Sequence, residues 1–204
     1  MSSTFDFVTR DNEHFVLNLD PIIRPITDDQ FLELCNTNED LRIEQTSSGE
    51  LDIMPGTGGT TGRRNARLIS KLQIWAEHDG FGLVFDSSTI FQLPNGAKRL
   101  PDASWVRLEK WDALTVEQQD KIPPLCPDFV AELRSRTDWL PYLQNKMEEY
   151  IANGAQLGWL IDPIDRRLYI YRPDADVEVL QDPETVSGEP VLTGFVLALA
   201  SVWD

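Results

Sequence analysis

F-V-A-E-L-R at residues 129–134 reads as a short apolar strand interrupted by one acid, Glu132. An ionised carboxylate among such neighbours costs several kcal/mol unless it is paired or bound to a metal. Strand periodicity puts Glu132 and Arg134 on one face, two residues apart. Two outcomes stay open on these residues alone: a structural Glu132–Arg134 ion pair, or a working site. P-D-A-S-W-V at 101–106 supplies a second acid, Asp102, at the mouth of another apolar run. An Asp after proline is by itself an ordinary turn residue. Two acids on separate strand edges, with a cation two residues after the second, turn the reading toward chemistry.

Outward from this pair the chain alternates strands and helices. Residues 1–26 read as an irregular N-terminal arm punctuated by Pro21 and Pro25, and 27–204 as a single domain. T-D-D-Q at 27–30 is a capping box that opens a first helix. Leu41–Gln45 and Glu50–Met54 flank T-S-S-G as a hairpin. The glycine-rich loop P-G-T-G-G-T-T-G (55–62) leads into a helix from about Arg63 to His78, whose Ala66, Ile69, Leu72, Trp75 and Ala76 form one apolar stripe. Short strands follow near Leu83–Phe85 and Ile90–Leu93, then a helical patch at Leu108–Leu114 and a second capping box, Thr115 to Gln118. A helix Leu140–Asn153 ends at Gly154, and Leu157–Asp162 with Arg167–Tyr171 form a hairpin around P-I-D-R. The order predicts an α/β or α+β domain: a mixed central sheet flanked by helices, with an N-terminal helix and hairpin.

The 204 residues are 41% hydrophobic, enough for one full core. No stretch approaches the roughly 20 apolar residues of a membrane-spanning helix, so no membrane partner is expected. The opening M-S-S-T-F-D-F-V-T-R has neither a basic n-region nor an apolar h-region, and Cys35 and Cys126 lack metal-ligand spacing. Both features point to a cytoplasmic protein without disulfides. The net charge of −16 opposes binding to phosphate backbones. That acidity is uneven, however: no Lys or Arg follows Arg172, and most cations lie between Arg42 and Arg172. His14 and His78 are isolated from any nucleophile, so Ser-His and Cys-His hydrolase chemistry has no support.

Hard cations such as Mg²⁺ take one or two carboxylates and leave positions open for water and phosphate oxygens. Asp102 and Glu132 suit that demand. Arg134 would hold phosphoryl oxygens, since a guanidinium cannot act as a base.

P-D at 101–102 followed by E-x-R at 132–134 resembles the PD-(D/E)xK nuclease superfamily. More narrowly, the chain resembles the Uma-two family of restriction endonucleases, common in cyanobacteria. The likeness covers roughly residues 20 to 203 and is carried by L-R-I-E (41–44), G-E-L (49–51), P-G-T-G-G-T-T-G (55–62), F-D-S-S-T (85–89), L-P-N-G-A (93–97), P-D-A-S-W-V, P-P-L-C-P-D-F-V-A-E-L-R-S (123–135), K-M-E-E-Y (146–150) and G-W-L-I-D-P (158–163). The resemblance implies a restriction-endonuclease-like core and a Mg²⁺ (or Mn²⁺) site of Asp102 and Glu132, with DNA as substrate. It further implies that Arg134 stands where the superfamily carries lysine, that Lys146 replaces the missing amine, and that Glu44 completes the metal shell or positions water. On local grounds Glu44 reads instead as a solvated hairpin acid, and Lys146 as a surface lysine packing along Tyr150, four residues on.

Three readings compete. One is a metal-dependent DNA endonuclease; the sequence does not prove a homodimer, though cutting both strands of a duplex favours two copies of one site. The second is a catalytically inactive binding or regulatory module with a Glu132–Arg134 ion pair. The third is a nucleotide-binding enzyme using Gly56–Gly62, a loop that lacks the Walker lysine and is better read as a connector. Arg63, Arg64 and Arg67 read either as weak contacts to a nucleic-acid backbone or as a solvated basic patch. Trp75, Trp105 and Trp159 lie in apolar segments and read as core.

Overall fold

The computed structural model describes the backbone of residues 8–10, 14–17, 26–54 and 56–204, and the side chains of 26–54 and 56–204. In chain order its elements are β1 (Val8–Arg10), β2 (His14–Leu17), α1 (Asp28–Thr37), β3 (Arg42–Gln45), β4 (Leu51–Met54), α2 (Gly59–Asp79) and β5 (Gly82–Phe85). Then come β6 (Phe91–Gln92), β7 (Lys98–Arg99), β8 (Ala103–Arg107), α3 (Leu108–Asp112), α4 (Val116–Asp120), β9 (Phe129–Leu133) and α5 (Leu140–Ala152). The last are β10 (Leu157–Asp162), β11 (Arg167–Tyr171), β12 (Glu178–Gln181), β13 (Thr185–Ser187), β14 (Val196–Ala198) and α6 (Ala200–Trp203).

β9 and β10 run parallel, with Phe129 beside Leu157 and Leu133 beside Ile161. A parallel pair cannot be closed by a tight turn, and α5 supplies the crossover. Antiparallel strands complete the mixed sheet in the order β12-β11-β10-β9-β8-β5. All five residues of β9 are buried, as expected of a strand covered on both faces. Its odd residues Phe129, Ala131 and Leu133 meet Leu68, Leu72 and Ala76 of α2 and Val202 of α6 in the larger core. Val130 meets Leu143, Met147 and Tyr150 of α5 on the other face. Glu132 shares the parity of Val130 and therefore faces α5. Four of the six tryptophans lie in this part of the molecule: Trp105, Trp159 and Trp203 are buried and Trp75 is partly so.

A second sheet, β1-β2-β4-β3-β7-β6, is antiparallel throughout. α1 covers one face, with Phe31 packed on Ile43 and Leu51. Ile43 faces α1, so Arg42 and Glu44 turn to the opposite side. The T-S-S-G hairpin forms as read, Arg42 opposite Met54 and Gln45 opposite Leu51. Both capping boxes are present, at Thr27 with Gln30 and at Thr115 with Gln118.

Three expectations are corrected. The arm at 1–26 is not wholly irregular: β1 and β2 pair with each other, and β2 adds to the edge of β4. That edge is a tertiary feature which no local pattern reveals. Pro21, Pro25, Pro55 and the His14 side chain lie outside the described residues. Second, α2 starts at Gly59 rather than Arg63, so half of the glycine-rich stretch is its first turn. Third, Leu72 and Ala76 of the expected stripe are buried and Ile69 and Trp75 pack against the same core, but Ala66 is exposed and Leu68 is buried instead. α5 ends one residue before Asn153, and Gly154 takes φ 108°, the left-handed conformation expected there. Both cysteines are unpaired. Among the described residues no helix is long and apolar enough to cross a membrane.

Candidate functional site

β8 and β9 are antiparallel, with Ala103 opposite Ala131 and Ser104 opposite Val130. Asp102 directly precedes Ala103 and Glu132 directly follows Ala131, so the two acids come at the same end of this strand pair. Both line one cleft, and the charge of Asp102 acts on Glu132. The Leu133 N–H donates to Asp102 Oδ2 at 2.8 Å, which anchors the aspartate across the strand end. Arg42 donates to its other oxygen at 3.1 Å.

Glu132 is 3% exposed. Lys146 Nζ lies 2.9 Å from its Oε1, and the Tyr150 hydroxyl donates to the same oxygen at 3.0 Å. The described residues make no hydrogen bond to Oε2. Burial pushes the Glu132 carboxyl up to about 7, opposed by Lys146 and reinforced by the charges of Asp102 and Glu44. Lys146 and Tyr150 share a helical face, as their spacing requires, and that face is buried rather than at the surface.

Lys146 also donates to Glu44 Oε1 at 2.8 Å. Glu44 is fully buried, which corrects its reading as a solvated hairpin acid. It faces α5 because Ile43 takes the α1 side; the Leu100 N–H donates to the same Oε1 and Arg99 to Oε2. Burial works to raise its pKa, but Lys146, Arg99 and these hydrogen bonds outweigh it and hold the carboxyl at about 2. Glu44 thus anchors Lys146 and does not line the cleft. Lys146 is itself raised: burial opposes its charge, and Glu132 and Glu44 overcome that.

Arg134 does not pair with Glu132. Its Nη1 lies 2.7 Å from Asp162 Oδ2 and 3.7 Å from Asp165. β9 ends at Leu133, and the parallel neighbour β10 ends at Asp162, so the two side chains leave adjacent strands side by side. The ion pair on which the inactive-module reading relied is absent among the described residues.

A cleft of about 880 Å³ opens over the carboxylates. Asp102, Glu132 and Lys146 lie in it, with Arg134 and Arg136 on one wall and the Gly56–Thr61 stretch and Arg64 on another. Five cations, counting Arg42, face three acids, so the acidity of the whole chain does not extend into the cleft. Of the basic residues on α2, Arg63 and Arg67 donate to the carbonyls of Asp204 and Ser201, and Arg64 to that of Trp203. Only Arg64 of the three also reaches the cleft. Arg42 and Arg99 are the members of this cluster that the sequence reading did not single out. Arg42 stands two residues before Glu44, and strand alternation would have placed both on one face.

A parallel strand pair closed by a crossover helix inside a mixed sheet, with helices on both faces, makes this an α+β fold. The chain belongs to the Uma2 family: the family model described as "Uma2: Putative restriction endonuclease" matches residues 28–200. Its fold is similar to the crystal structure of a "putative nuclease belonging to DUF820" from Anabaena variabilis, with a TM-score of 0.72 at 22% identity over 88% of this chain and 98% of that one. Among curated proteins none matches the chain.

Proposed function

We propose that the chain is a metal-dependent DNA endonuclease that hydrolyses phosphodiester bonds, with Asp102 and Glu132 as the ion's protein ligands. The observation that carries this reading is that Asp102 and Glu132, at the same end of the paired β8 and β9, line one cleft together with five cations. The donor set fits Mg²⁺ or Mn²⁺: two hard carboxylates, one with an oxygen free of protein hydrogen bonds, and no His or Cys beside them. Among the described residues no group of three or more His, Cys, Asp or Glu forms a ready cage. Mg²⁺ does not need one, because it retains waters and takes substrate oxygens. An ion held there supplies Lewis acidity and a bound water of lowered pKa.

The chain's own groups then divide the remaining work. Lys146 and Tyr150 fix the rotamer of Glu132, and the Leu133 N–H fixes Asp102. Lys146, held between two carboxylates, stays protonated and acts as a hydrogen-bond donor and positive charge rather than as a base. Arg64 and Arg136 offer guanidinium donors to backbone phosphates flanking the bond to be cut. Arg134, tied to Asp162, stabilises the loop that carries Arg136. A homodimer would let two such sites address opposite strands, which sedimentation of the purified protein tests.

Supercoiled plasmid incubated with Mg²⁺ or Mn²⁺ is expected to be nicked by the wild type. Asp102→Ala and Glu132→Ala should each cut at least about a hundredfold more slowly, a loss in keeping with removal of a transition-state charge stabiliser. Equal nicking by all three proteins would sink the assignment.

A further inference from the structure

Arg42 has no part in the steps above, yet it holds one of the two proposed ligands. Its Nη1 donates to Asp102 Oδ1 at 3.1 Å and its Nη2 to the Leu100 carbonyl at 2.9 Å. Its Nε is buried without a partner. The guanidinium lies in the field of Asp102, Glu44 and Glu132 together. It therefore occupies the kind of position a metal cation would take.

Charge balance sharpens the point. Asp102, Glu132, Glu44 and Glu149 are faced by Arg42, Lys146 and Arg99, with Arg99 shared between Glu44 and Glu149, so one negative charge is left over with no ion present. Adding a divalent cation turns this into an excess of one positive charge in a poorly solvated place, which is unfavourable unless a cation withdraws or an anion arrives. Lys146 and Arg99 are walled in, their side chains 4% and 7% exposed. Arg42 is 25% exposed and lines the cleft, and one carboxylate oxygen and one carbonyl hold it.

We propose that Arg42 is a displaceable counter-ion, which neutralises Asp102 until a divalent cation binds and then transfers to a phosphate of the nucleic acid in the cleft. Ion and DNA binding are thereby made mutually dependent. The vacated Nη1 presents N–H donors that phosphate oxygens accept. This rests on the metal-dependent reading above and adds the coupling to it.

Calorimetric titration with Ca²⁺, an oxygen-seeking ion, with and without a short DNA duplex, separates the two. In the wild type, DNA should raise Ca²⁺ affinity about tenfold, a coupling of ordinary size for linked sites. Arg42→Met should bind Ca²⁺ alone about tenfold more tightly than the wild type, and DNA should then change that affinity by less than about twofold. Structural damage would weaken ion binding, so a gain in affinity is diagnostic. Arg42→Gln, which keeps a donor for the Leu100 carbonyl, gives the same comparison should the Met variant fail to fold. Unchanged or weaker Ca²⁺ affinity in a folded variant, or undiminished coupling, would overturn the proposal for Arg42 and leave the ion site standing. No Ca²⁺ heat in either wild type or variant, with or without DNA, would overturn the metal-dependent reading itself.

Discussion

Glu132 and Glu44 share Lys146, yet their environments push them in opposite directions, and stability should record this. Glu132 titrates near 7 in the folded chain against an ordinary 4.5. Its folded state binds the proton more tightly, so its contribution is greatest below about 4.5 and falls as pH rises through 7, by something on the order of 3 kcal/mol. Glu44, held at about 2, contributes fully above 4.5 and loses that contribution as pH falls toward 2. Glu132→Gln should therefore gain stability relative to the wild type between about pH 5 and pH 8, as urea unfolding across that range would show. A pH-independent difference would mean that Glu132 ionises normally. The sequence exposed Glu132 because an acid inside an apolar strand demands an explanation. It hid the burial of Glu44, whose hairpin neighbours carry no sign that Arg99 and α5 close over it.

At the scale of elements, local chemistry and packing were legible to different degrees. Capping boxes, the T-S-S-G turn and the glycine after α5 act within a few residues, and each stands where the sequence put it. The buried line of α2 depends on contact with β8–β10, and there the expected stripe was shifted, with Leu68 in it and Ala66 exposed. The same packing constrains β5. A Cβ added at Gly82 would come within 2.3 Å of the Trp105 ring, which is 2% exposed and cannot swing aside. Gly158 meets the terminal methyl of Met147 at 2.5 Å, a flexible neighbour. Gly82→Ala should cost about 1–3 kcal/mol in chemical denaturation and Gly158→Ala clearly less. Equal costs would contradict the assigned packing of Trp105 against β5.

For the whole molecule the governing tension is between a net charge of −16 and a cleft with more cations than acids. An acidic exterior repels duplex DNA, so the DNA binding proposed above would have to be won locally and should depend steeply on salt. Arg136 is exposed at the cleft, and its charge acts on Arg64 across the opening. Arg136→Ala should weaken DNA binding uniformly across sequences and reduce the slope of log affinity against log salt by about one, measured by fluorescence anisotropy in Ca²⁺. An unchanged slope would place the DNA path elsewhere.

Periodicity, caps and turns determined most of the strands and helices, the mixed sheet and the two acids at its strand ends, because these are written in neighbouring residues. Which charges those acids meet was decided only by tertiary structure. Arg134 lies two residues from Glu132 in the chain but pairs with Asp162, while Lys146 and Arg42 arrive from a crossover helix and a second sheet. Ion pairing in a buried site follows distance in space, and sheet register and strand parity set that distance.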